Sequence, residues 1–144
     1  MKYDTESLIN ILSNLRIDAL NDMQLAAAEA GSADTDVVLL SPTGSGKTIA
    51  FLLPLVQAMD AGTKFTQAMV IAPSRELALQ IEKVFKQMGT GLKVTCCYGG
   101  HLRETEENNL TEPPALLVGT PGRIADHIRR GNITVDTITT LVLD

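Results

Sequence analysis

The chain has 144 residues, 44% of them hydrophobic and 20% charged, which suits one domain with a sizeable core. Its net charge of −5 at pH 7 argues against broad non-specific nucleic-acid binding, so any such contact must come from a few placed residues and backbone amides. No apolar run reaches bilayer length, the N-terminal residues carry no basic-then-apolar signal pattern, and aromatics at 3% offer little for base stacking. A cytoplasmic protein without a membrane partner is expected.

In chain order, Leu8, Ile11, Leu12 and Leu15 form a helical apolar stripe, and a second helix runs through Met23 to Ala30 before Gly31 stops it. Val37–Leu40 reads as a strand, and Lys47–Met59 as a helix that Pro54 should bend. Residues 68–72 form the next strand, and Ser74 is a suitable N-cap for a helix over Arg75–Met88 that ends before Gly89. Leu92–Tyr98 alternates like a strand and ends at Gly99-Gly100. Within it, adjacent Cys96 and Cys97 point to opposite faces, which suits neither a disulfide between them nor a metal site, and favours small strand residues in a reducing compartment. A polar helix over Leu102–Asn109 follows, although Thr111–Pro114 could equally make this region an ordered loop. Ala115–Val118 is a strand, Pro121–Arg130 a helix opened by its proline, and Thr140–Leu143 a fifth strand. Apolar strands separated by helices predict an α/β fold, a parallel sheet with helices on both faces.

The segment Ser41-Pro42-Thr43-Gly44-Ser45-Gly46-Lys47-Thr48 lies between an apolar strand and a helix. A strand, a glycine turn and a helix in that order build a phosphate cradle, because turn amides and the positive helix end point at one spot. Gly44 and Gly46 allow close backbone approach, Lys47 can reach the β- and γ-phosphates, and the Thr48 hydroxyl can ligate magnesium. The general pattern GxxxxGK[ST] begins with Gly, where this chain has Ser41.

Three further segments sit at strand ends. Pro73-Ser74-Arg75-Glu76-Leu77 and Gly119-Thr120-Pro121-Gly122-Arg123 each open a helix, and Gly99-Gly100 closes a strand. Helix N-termini along one sheet edge, two bearing an arginine, suit consecutive phosphates of a polymer; the alternative is that these residues only cap and turn. His101 and His127 lack a paired carboxylate at a telling spacing and read as surface residues, and Glu104, Glu106 and Glu107 as a solvated acidic face.

Together these segments resemble the DEAD-box family of ATP-dependent RNA helicases, in the family's order and over nearly the whole chain. Ser41–Thr48 is similar to motif I in its family form AxTGSGKT, PSRELALQ at 73–80 to motif Ia, Gly99-Gly100 to the GG element and Thr120–Arg123 to the TPGR element. Leu141–Asp144 resembles the strand into motif II, with its first aspartate. Gln24 falls where the family's Q motif places an adenine-reading glutamine, a carboxamide able to pair with adenine N6 and N7. The flanking Gly-Phe and Pro-Thr of that motif are missing here, and Tyr3 stands out of register for the aromatic that stacks on adenine.

The resemblance implies a RecA-like ATP-binding domain, with residues 1–30 as a helical Q-motif region and 31–144 as a RecA-like domain that is C-terminally incomplete. It implies ATP and Mg2+ as cofactors, held by Gln24, Thr43, Gly44, Ser45, Gly46, Lys47 and Thr48, with Thr48 and Asp144 placing the metal and Lys47 and Asp144 acting in catalysis. It implies an RNA backbone track of Pro73, Ser74, Arg75, Gly99, Gly100, Thr120, Pro121, Gly122 and Arg123, and a second RecA-like domain as partner. In such sheets the strand after motif II separates the phosphate-loop strand from the motif II strand, so two apolar edges are expected to lie unpaired unless a longer protein or a partner segment fills the gap. The alternatives are a DNA-acting helicase or translocase of the same superfamily, and a non-catalytic nucleotide- or RNA-binding module.

Overall fold

The computed structural model describes residues 5–144. The chain divides into two compact units, one running to Asp60 and including Gln87–Thr90, the other holding Ala61–Lys86 and Gly91–Asp144.

In the first unit, α1 (Thr5–Asn14) buries Ile11, and α2 (Asp22–Gly31) buries Gln24 and Ala27. Asn21 opens α2 with a capping box: its side chain accepts from the Gln24 amide at 2.8 Å, and Gln24 Oε1 accepts from the Asn21 amide at 3.0 Å. Helix α3 (Lys47–Ala58) continues through Pro54 and buries Ala50, Leu52, Leu53, Leu55 and Val56.

The expected strand at Val37–Leu40 does not form. These residues are irregular and pair with no strand among the described residues, and Val38 and Leu40 are 87% and 88% exposed. A strand is held by ladder partners, and an apolar run without one has nothing to satisfy its amides and carbonyls.

The second unit is built on a four-stranded, wholly parallel sheet. Its strands are β1 (Ala68–Ile71), β2 (Val94–Cys97), β3 (Leu116–Gly119) and β4 (Thr140–Leu143), in the order β2-β3-β1-β4. The segment beyond β2 that fitted either a helix or a loop is a helix, α5 (Arg103–Leu110). Alternation along the strands sends Met69, Cys97 and Leu117 to one face, where they form a core with Leu110 of α5, Ile124 of α6 (Pro121–Arg129) and Ile133. Cys96 points to the other face, toward Glu82 and Lys86 of α4 (Arg75–Gln87), the helix that buries Ala78, Ile81 and Phe85. Edge strand β4 leaves Leu141 and Leu143 56% and 72% exposed.

Register is what matters for function. Cys97 pairs with Gly119, Gly119 with Ile71, and Ile71 with Leu143, so the four strands end level. Further hydrogen bonds extend the alignment by one residue, from Ala72 N to Gly119 O, Thr120 N to Cys97 O and Asp144 N to Ile71 O. The segments after β1, β2 and β3, together with Asp144, therefore emerge along a single sheet edge.

Candidate nucleotide and nucleic-acid sites

The first site lies within the first unit. Ser45 N and Ser45 Oγ both donate to Pro42 O, at 3.3 and 2.6 Å, and fold the loop back on itself. With its own proton so used, Ser45 Oγ accepts from Ser41 Oγ, giving a role to the serine that stands where the general pattern has glycine. Gly44 and Gly46 have φ of 79° and 89°, and Gly46 is the N-cap of α3. This left-handed step into a helix turns successive amides inward as an anion-binding nest. Among the described residues, the amides of Gly46, Lys47 and Thr48 donate to no protein acceptor, and Lys47 forms no ion pair. Orphan amides, a left-handed glycine and a free cation fit a bound polyphosphate.

Gln24 braces this loop. It is 5% exposed, and its Nε2 donates to Gly46 O at 3.2 Å while Asn21 Nδ2 donates to Ser45 O at 3.1 Å. A Cβ on Gly46 would lie 2.5 Å from Gln24 Nε2. The side chain expected to read adenine thus has both its oxygen and its nitrogen engaged within the protein. Tyr3 lies outside the described residues.

The second site is the level sheet edge of the second unit. Ser74 caps α4, its Oγ accepting from Leu77 N at 3.2 Å, and Pro73, Ser74 and Arg75 are exposed. Gly99 and Gly100 are exposed after β2, and Thr120, Pro121 and Gly122 open α6. The Arg75 guanidinium lies 5.7 Å from the Tyr98 ring centroid, and Tyr98 stacks on His101 at 4.9 Å. Asp144 is exposed and belongs to this unit, whereas Thr48, its expected partner at magnesium, belongs to the other.

Three expectations need correction. Glu106 is not part of a solvated acidic face, and His127 is not on the surface: both are fully buried. Arg123, expected to face an RNA backbone, has a side chain only 12% exposed, which donates to Glu106 Oε1 at 3.1 Å and His101 O at 3.1 Å. The missed signal was helical spacing. Glu106 stands four residues before buried Leu110, and Arg123 four before His127, so each pair shares a helix face.

Cys97 offers its sulfur within 4.8 Å of ligand atoms from Glu106 and His127, all buried. Both Glu106 oxygens already accept two donors each. Burial, with Glu106 nearby, pushes the Cys97 thiol up to about 12, so this cluster is a protonated, hydrogen-bonded core rather than a ready ligand set.

Known proteins match most of this chain. The DEAD/DEAH box helicase model matches residues 21–144. The chain belongs to that family. It is 37% identical over 139 residues to "ATP-dependent RNA helicase DeaD" of Escherichia coli (strain K12), covering 89% of this chain and 22% of that protein. It is 36% identical over 149 residues to "ATP-dependent RNA helicase DbpA" of the same strain, covering 96% and 33%. To "ATP-dependent RNA helicase CshA" of Listeria monocytogenes it is 35% identical over 141 residues, covering 96% and 27%. The chain thus spans about a fifth to a third of the length of these family members. Its parallel α/β sheet fits a RecA-like helicase domain. No helix among the described residues is long and apolar enough to cross a membrane.

Proposed function

We propose that this chain is the ATP-binding first domain of an ATP-dependent RNA helicase that remodels or unwinds RNA duplexes in the cytoplasm. Residues 1–30 serve as its Q-motif region and 31–144 as its RecA-like domain, working with a second RecA-like domain. The observation that carries the reading is the left-handed Gly46 with orphan amides beside unpaired Lys47, in a chain whose relatives are named ATP-dependent RNA helicases.

In this reading the amides of Ser45–Thr48 and the Lys47 ammonium bind the ATP phosphates, with Thr43 and Gly44 closing the loop. Thr48 and Asp144 would each offer an oxygen to Mg2+, which would supply charge neutralisation to the phosphates. Gln24 probes adenine and gives up loop or cap hydrogen bonds to do so. Along the sheet edge, Pro73, Ser74, Arg75, Gly99, Gly100, Thr120, Pro121 and Gly122 meet the RNA backbone without reading sequence, and 2′-hydroxyl contacts distinguish RNA from DNA. Phosphoryl transfer needs a positioned water and transition-state charge stabilisation, to which an arginine contributes about 10³–10⁵ in rate.

Calorimetry on the intact protein tests the reading. Magnesium-dependent ATP uptake is expected, lost in Lys47→Ala, together with hydrolysis stimulated by single-stranded RNA. Stimulation by matched DNA alone would point to a DNA translocase. Uptake without any hydrolysis would make the chain a binding module, and no uptake would overturn the proposal.

A further inference from the structure

Glu106 is a fully buried carboxylate with four donors. Its Oε2 accepts from the Tyr98 amide and His101 Nδ1, both at 2.9 Å; its Oε1 accepts from Arg123 Nη1 at 3.1 Å and His127 Nε2 at 2.8 Å. Four donors fill the lone-pair sites of a carboxylate, and the Arg123 cation balances its charge. The hydrogen-bond network assigns the His127 proton. Asn132 Nδ2 reaches both Glu107 Oε1 at 3.3 Å and His127 Nδ1 at 3.1 Å. Both are served only if Asn132 donates, which leaves the imidazole proton on Nε2, facing Glu106.

These bonds tie together the segments of the sheet edge. The Tyr98 amide and His101 flank Gly99-Gly100, and Arg123 closes the Thr120–Arg123 turn with its second nitrogen on His101 O. The Tyr98 ring, stacked on His101, in turn carries the Arg75 guanidinium. Resting on the RNA reading above, we propose that Glu106 is a positioning residue for the RNA-facing edge, and that Arg123 is its strut rather than a phosphate contact. Gln at 106 has one acceptor oxygen and would turn its amide hydrogens toward N–H donors. Lys at 123 keeps the charge but cannot bridge Glu106 and His101 O with a planar fork.

The test is binding of single-stranded oligouridylate by the intact protein across a salt series, with a cooperative thermal melt as proof of fold. Glu106→Gln and Arg123→Lys are each expected to weaken binding about tenfold or more, as misplacement at a distance does. The slope of log K against log salt should stay unchanged in both, whereas Arg75→Ala should reduce it by about 0.7. Arg123→Lys binding like the unmodified protein, or Arg123→Gln reducing the slope by about 0.7, would show a direct phosphate contact and overturn the strut. Unchanged binding in a folded Glu106→Gln would overturn the positioning role. If Glu106→Gln does not fold, the two Arg123 variants decide. If the unmodified protein binds no RNA, the RNA proposal itself fails, a result distinct from the others.

Discussion

Gly119 is the tightest point of the sheet. A Cβ there would sit 2.5 Å from Cys97 O and 2.9 Å from Ile124 Cγ1, and the first of these is backbone that cannot swing aside. Gly119→Ala should therefore cost about 1–3 kcal/mol, as overpacking does, and lower the urea midpoint without changing the m-value. An unchanged midpoint would contradict it. In the sequence this glycine reads only as part of a turn that opens a helix, because the clash depends on a strand 22 residues away in the chain. Glu106 was hidden for a similar reason. It stands between Glu104 and Glu107 in a polar run, and its burial is made tolerable by donors from outside that helix, the Tyr98 amide, His101, Arg123 and His127. The Ser41–Thr48 loop, by contrast, is local chemistry, and the glycines that turn it were legible from eight consecutive residues.

Elements were legible where their ends carry caps. Helices α4, α6 and α3 start where the sequence places them, because their start signals are local: the Ser74 cap, Pro121 at the first turn of α6 and the left-handed Gly46 before α3. Ser74→Ala should destabilise the protein by about 1 kcal/mol by leaving the Leu77 amide without its acceptor. Urea unfolding would measure this, and Ser74→Asp, which restores a capping oxygen, should recover most of the loss. Val37–Leu40 shows the opposite case. Its apolar composition is strand-like, yet strand formation is decided by a neighbour, which no property of the run itself reports.

At the scale of the whole molecule, both cysteines lie inside. Burial, followed by the charges of Glu82 and Glu106, pushes the Cys96 thiol up to about 12 from 9.0. Burial likewise raises Cys97 to about 12. A raised folded-state value means that the unfolded chain releases these protons first. Their contribution to stability is therefore intact below about pH 9 and is lost as pH rises toward 12. Urea unfolding followed across alkaline pH should show this decline, and a C96A/C97A variant should show less of it; identical profiles would refute the assignment.

The level strand ends bring the segments after β1, β2 and β3, with the exposed Arg75, to a single line. Strand β4 gives the same sheet a very different flank. One side of β4 is hydrogen-bonded to β1, while the opposite flank has no partner strand among the described residues, and Leu141 and Leu143 lie exposed on one face of the strand. An open strand edge of this kind is a template on which a further extended segment can add its own backbone hydrogen bonds.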